Sequence, residues 1–212
     1  MTEPTVSPLG DSAITLTFGE GISADLNDRV VAEAKRITAA RIHGVRDVVP
    51  SYASLTVHYD PLRITYADLR AQLSAVPMSA TQRETQSRLH LITVDYNGED
   101  LDDVARRTKL SSDDVISIHS SIEYRVFVIG FVPGFAYLGP LDQRLVLPRR
   151  ESPRKRVPAG SVAIAEAQTG IYPAETPGGW HLIGISETNL FDARREQPSL
   201  FAVGDTVRFK PA

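Results

Sequence analysis

Apolar and polar positions alternate from Ala13 to Phe18, as in a half-buried strand, and the turn Gly19 to Gly21 ends the alternation. Leu26, Val30, Val31, Ala34 and Ile37 then recur at helical spacing, with Ser23 or Asp25 available as the N-cap. Val45 to Pro50 and Ser54 to Tyr59 read as two strands joined by a tight turn. Thr65 to Val76, with Leu69, Leu73 and Val76 on one face, reads as a second helix. The pattern predicts a small α+β domain of order β-α-β-β-α over residues 1–80. Apolar periodicity then disappears between Met78 and Arg88, which predicts a linker at 81–87 and a second domain over 88–212.

The second domain opens with strand-like alternation at Leu89 to Tyr96 and two short helical patterns, Leu101 to Thr108 and Ser112 to His119. Ser111 can cap the latter in a capping box with Asp114. Between Gly130 and Trp180 lie seven of the 14 Gly and seven of the 14 Pro, a density that leaves room only for short strands and turns. Gly204 to Phe209 closes the chain as a strand with Val207 and Phe209 on one face. The expected architecture is a closed, mostly β barrel.

Composition narrows the functional classes. With 212 residues, 42% of them hydrophobic, the chain can bury a substantial core. No apolar run approaches the roughly 18 residues of a membrane span, and MTEPTVSPLG has neither the basic nor the apolar part of a signal peptide, so a cytoplasmic, non-membrane protein is expected. The absence of Cys excludes disulfides, thiolate nucleophiles and Cys-ligated zinc. His43, His58, His90, His119 and His181 include no pair at metal-ligand spacing, so no metal site is expected. A net charge of −3 argues against general nucleic-acid binding. DVARRTKLSSDDVISIHS has helix-turn-helix spacing, but Asp113 and Asp114 open the would-be recognition helix and would face phosphates.

Three stretches carry chemistry. GFVPGFAYLG, Gly130 to Gly139, reads either as a turn whose aromatics fill a core or as the aromatic wall of a pocket. LPRRESPRKRVPAGS, Leu147 to Ser161, sets Arg149, Arg150, Arg154, Lys155 and Arg156 around a lone acid, Glu151, on a proline-stiffened frame. It reads either as a solvated basic loop or as an anion site. AQTGIYPAETPGGWHLIG offers Gln168, Thr169, Tyr172, Glu175 and Thr176 between turns, with Gly178 and Gly179 allowing close approach before Trp180. Glu175 is a candidate general base or clamp on an amide N–H. Ser161 lies in AGSVA, outside any nucleophile elbow, and His119 ends a helix whose dipole favours its protonated form.

Taken in order, GDSAITLTFGE, VPSYASLTVHYDPLRI, HSSIEYRVFVIGF, GFVPGFAYLGPLD, LPRRESPRKRVPAGSVAIA and QTGIYPAETPGGWHLIG resemble the family that contains the B subunit of bacterial 5-oxoprolinase, the sporulation kinase inhibitor KipI and subunit 1 of allophanate hydrolase. The resemblance covers nearly the whole chain. It implies a small α+β amino-terminal domain followed by a cyclophilin-like β-barrel. It also implies action with the A subunit and the barrel-fold C subunit of that enzyme in ATP-dependent opening of the 5-oxoproline lactam to glutamate. The chain would then be inactive alone, with ATP at its interface with the C subunit. A KipI-like inhibitor of a sensor histidine kinase and an allophanate or urea-derivative amidolyase component are the alternatives.

The residues carried over by the resemblance are a wall of Phe131, Pro133, Gly134 and Tyr137, a basic loop from Arg149 and Arg150 to Arg156, and the turn residues Gln168, Thr169, Tyr172, Glu175, Gly178, Gly179 and Trp180. Glu175, Arg154 and Arg156 are the candidate catalytic groups. Two departures stand out: IGISETN replaces the Ile-Gly-Arg-Thr-Pro string that follows the Trp in the family, and VDYNGEDLDD is shorter than its usual glycine-rich loop.

Overall fold

The amino-terminal pattern folds with one strand more than its periodicity predicts. In the computed structural model, which describes residues 3–76 and 87–212, β1 (Thr5–Leu9) and β2 (Ala13–Thr17) form a hairpin ahead of α1 (Ala24–Ala40), β3 (Val45–Pro50), β4 (Ser54–Tyr59) and α2 (Tyr66–Ala75). The antiparallel sheet runs β1-β2-β4-β3, so β1 is an edge strand. Its mostly exposed residues and its Pro8, tolerated at an edge, hide it from an apolar-alternation reading. Ile14, Leu16, Leu55 and Val57 line the buried face and meet Val30, Ala34 and Ile37 of α1 and Leu69 and Leu73 of α2. Ser23, rather than Asp25, caps α1 by accepting from the Leu26 N–H, and Thr65 caps α2 through the Asp68 N–H. The chain divides into two compact units, Met1–Gln86 and Ser87–Ala212. The stretch 81–87 expected as a linker lies, apart from Ser87, outside the described residues.

The second unit is the expected barrel. It comprises β5 (Leu89–Val94), α3 (Leu101–Thr108), α4 (Ser112–Ser121), β6 (Glu123–Ile129), β7 (Ala136–Gly139), β8 (Arg154–Val157), β9 (Ser161–Ala165), β10 (Gln168–Ile171), β11 (Thr176–Gly178), β12 (His181–Ile185) and β13 (Thr206–Pro211). Seven strands run in the order β12-β9-β10-β7-β6-β13-β5, while β8 and β11 pair as a separate ribbon. Reciprocal hydrogen bonds between Asp95 and Ile185, at 2.9 and 2.8 Å, bring the two edges together and nearly close the barrel. β9 is buried along its whole length because both its faces are covered. Val162 and Ile164 enter the main core, where Val104, Ala105, Val115 and Ile118 of α3 and α4 seal the interior. Ala163 and Ala165 enter a second cluster with Phe135, Val157, Tyr172, Trp180 and Leu182. The Ser111–Asp114 capping box forms as expected. Among the described residues no helix is long and apolar enough to cross a membrane.

Candidate functional site

The turn between β6 and β7 resolves the two readings of the aromatic stretch by dividing it. Phe135 is 1% exposed. Its ring packs edge-on against Tyr137 at 4.9 Å, Tyr172 at 5.3 Å and Trp180 at 5.6 Å, so this half of the segment is core. Phe131 is 61% exposed although its φ is +73°, a backbone region that costs a non-glycine residue on the order of 1–3 kcal/mol and that clusters at functional sites. Pro133 is exposed beside it and Tyr137 is half-buried. Gly134 holds the turn at φ +84°, where an added Cβ would lie 2.7 Å from the Phe191 Cβ and 3.2 Å from the Leu190 carbonyl oxygen. Gly134→Val is expected to destabilise the chain by about 1–3 kcal/mol in urea denaturation, through the left-handed backbone and overpacking together. An unchanged midpoint would show that the turn relaxes freely.

The basic segment is built onto this cluster by β8, which pairs with β11 through Thr176↔Val157 and Gly178↔Arg154. The Arg150 N–H donates to the Gly179 carbonyl at 2.8 Å. A Cβ on Gly178 would stand 2.3 Å from the Tyr172 Oη, so only glycine lets the ribbon lie on that phenol. The five cations then divide. Arg150 and Arg154 turn inward to Asp100, at 2.6 and 2.8 Å. Arg156 pairs with Glu175 at 2.8 Å with both side chains exposed, a contact worth at most about 1 kcal/mol. Arg149 stands 3.5 Å from Glu166, again at the surface. Its charge also acts on Tyr137 and Tyr172, whose hydroxyls burial pushes above their ordinary range while Arg149 pulls the other way. Phe131, Tyr137, Arg149, Tyr172 and the Gly178–Gly179 turn thus share one surface, with Trp180 and Phe135 packed beneath it.

Thr169, expected on that surface with its neighbours, is not there. Alternation along β10 sends Gly170 toward Phe135 and Trp180, whereas Thr169, fully buried, points into the barrel. Gln168 is 6% exposed and lies within the strand rather than on an open wall. The Thr169 hydroxyl donates to the Ala163 carbonyl and so accepts from His119 Nε2–H at 2.9 Å, leaving His119 Nδ1 to accept from the Tyr96 hydroxyl at 2.7 Å. His119 also stacks on Phe209 at 4.5 Å. Burial drives its pKa down to about 3, overriding the helix dipole that led to the opposite expectation.

Sequence reasoning misses Asp100. It sits in NGEDLDD among other acids, and nothing local marks it as the partner of arginines fifty residues away. Its side chain is 6% exposed and does not cap α3. Burial opposes its ionisation, but hydrogen bonds from Arg154 and the Leu182 N–H, with the charges of both arginines, hold the carboxyl below its ordinary range. Among the described residues no group of three or more His, Asp or Glu side chains is placed to hold a metal ion. A cavity of about 300 Å³ lined by His43, Arg63, Ile64, Asp68, Ala71 and Gln72 belongs to the amino-terminal unit and contains none of the groups above. The convergence of charge and aromatic surface, not that cavity, defines the candidate site.

Residues 4–201 match the family model for the carboxyltransferase domain, subdomain C and D. The chain is 40% identical to the B subunit of 5-oxoprolinase from Bacillus subtilis, over 96% of this chain and 91% of that one. It belongs to the family of 5-oxoprolinase B subunits. A crystal structure of TTHA0988 superposes with a TM-score of 0.86 at 42% identity, covering 94% of this chain, which spans only 40% of that longer one. The Kluyveromyces lactis urea carboxylase superposes over 99% of this chain with a TM-score of 0.75 at 21% identity, a likeness of fold, and there the shared part is 22% of the chain. In this family, then, the two-unit fold occurs both as a separate chain and inside longer ones.

Proposed function

We propose that this chain works as the B subunit of an ATP-dependent 5-oxoprolinase, opening the 5-oxoproline lactam to L-glutamate together with the A and C subunits in the cytoplasm. The observation that carries this reading is the 40% identity to a 5-oxoprolinase B subunit along almost the full length of both chains. The chemistry agrees with the residues. An unactivated lactam is a poor electrophile, and ATP supplies activation by phosphorylating its oxygen, which turns that oxygen into a leaving group. On this chain no glycine-rich phosphate loop opens a helix, so its residues do not form a nucleotide site by themselves. What they offer an anion at a shared interface is the exposed cation set Arg149, Lys155 and Arg156.

The division of labour follows from exposure. Phe131 and Tyr137 supply apolar contact to the lactam ring, and Arg149 supplies charge for the substrate carboxylate or the developing oxyanion. Glu175, exposed and paired with Arg156, serves as a clamp on the lactam N–H; acting as a base would require giving up that ion pair. The purified chain should show no 5-oxoproline-dependent ATP hydrolysis, and co-expression with the A and C subunits should bring it on. Robust turnover by the single chain, or a complete complex that ignores 5-oxoproline, would overturn the reading.

A further inference from the structure

Asp100 joins three parts of the barrel through one carboxylate. Its Oδ1 accepts from Arg150 Nη1 at 2.6 Å and from Arg154 Nη2 at 2.8 Å, and its Oδ2 accepts from the Leu182 N–H at 2.7 Å. Its own N–H donates to the Leu182 carbonyl at 2.9 Å. The start of α3, strand β12 and the basic segment are therefore held at a single point. Two guanidiniums on one oxygen leave a surplus positive charge, which Glu99 meets from the solvent side at 3.1 Å from Arg154. Arg150 Nε and Arg154 Nη1 remain buried without a partner, so neither guanidinium is anchored except through Asp100, Glu99 and the backbone of its segment.

Arg149 precedes this anchor directly. Its own ion pair, with Glu166 at 3.5 Å and both side chains more than half exposed, is too loose to hold it in place. What places Arg149 beside Tyr137 and Tyr172 is the fixed position of Arg150. We propose that Asp100 is a positioning residue for lactam opening, holding Arg150 and Arg154 so that Arg149 is presented to the substrate. This rests on reading the Arg149, Tyr137 and Tyr172 surface as the substrate-facing one.

The test uses the complex with its partner subunits and compares Arg149→Ala, Asp100→Asn and the double variant, with kcat and KM for 5-oxoproline measured on complexes matched for folded content. Asp100→Asn keeps the size and an acceptor for the Leu182 N–H while removing the charge. Each single variant is expected to lower kcat/KM roughly 10- to 100-fold, the scale of a misplaced binding group, and the double variant to be no worse than Arg149→Ala. Wild-type kinetics for Asp100→Asn beside an impaired Arg149→Ala, or losses that multiply in the double variant, would overturn the positioning role alone. An unimpaired Arg149→Ala would overturn the substrate-facing reading beneath it. Should Asp100→Asn fail to assemble, Arg154→Lys, which keeps the charge and loses the forked contact, enters the same cycle with the same outcomes.

Discussion

Gly98→Ala will destabilise the barrel by about 3 kcal/mol or more, the combined scale of an overpacked contact and a disturbed buried ion pair. A Cβ at this position would lie 2.4 Å from the Ile183 carbonyl carbon, 2.4 Å from the Leu182 oxygen and 2.5 Å from the Gly184 nitrogen. All three are main-chain atoms of β12, so no rotamer change relieves the contact. The loop would have to lift, and Asp100, two residues on, would lift with it and leave Arg150 and Arg154 buried without their carboxylate. Urea denaturation of the isolated chain measures the loss. A Gly98→Ala midpoint within experimental error of wild type would mean that the loop is not tightly held on the strand, and would weaken the case for Asp100 as an anchor.

Stability will fall as pH drops from about 6.5 toward 3, because His119 is neutral in the fold and takes a proton when unfolded. Its folded pKa is about 3 against an ordinary value of 6.5, so the unfolded state binds the extra proton throughout that window. The contribution is complete above the upper value and declines by about 1.4 kcal/mol per pH unit below it. The interior offers the imidazolium no compensation: Nε2 already donates to Thr169, and Nδ1 needs its lone pair for the Tyr96 hydroxyl. Denaturation free energies measured between pH 7 and pH 4.5 should show this slope, and His119→Gln, which does not titrate, should flatten it. A flat wild-type profile over the same range would show that the imidazole is not buried as a neutral group.

How much of this is legible beforehand differs from element to element. The helices and most strands announce themselves, since amphipathic spacing in α1 and alternation in β2 and β4 follow from burying one face of each element. β1 does not, because an exposed edge strand carrying Pro8 has no apolar face to display. The aromatic stretch stands out along the chain, but nothing within it distinguishes Phe135, which is core, from Phe131, which is exposed. The same limit explains Thr169 and Tyr172: both are legible as polar groups near a turn, and strand alternation sends one inward and leaves the other under the ribbon.

The sequence by itself determined what depends on local periodicity and composition: an α+β amino-terminal unit, a turn-dense β-barrel, a capped α4 and a cluster of arginines close to an aromatic stretch. The tertiary structure alone decided which arginine does what. Five neighbouring cations look equivalent along the chain, yet closing the barrel brings Asp100 under two of them, Glu175 beside a third and the phenols of Tyr137 and Tyr172 near Arg149. A charge's role depends on its desolvation and on partners within a few ångströms, and here those partners come from segments as far as fifty residues away.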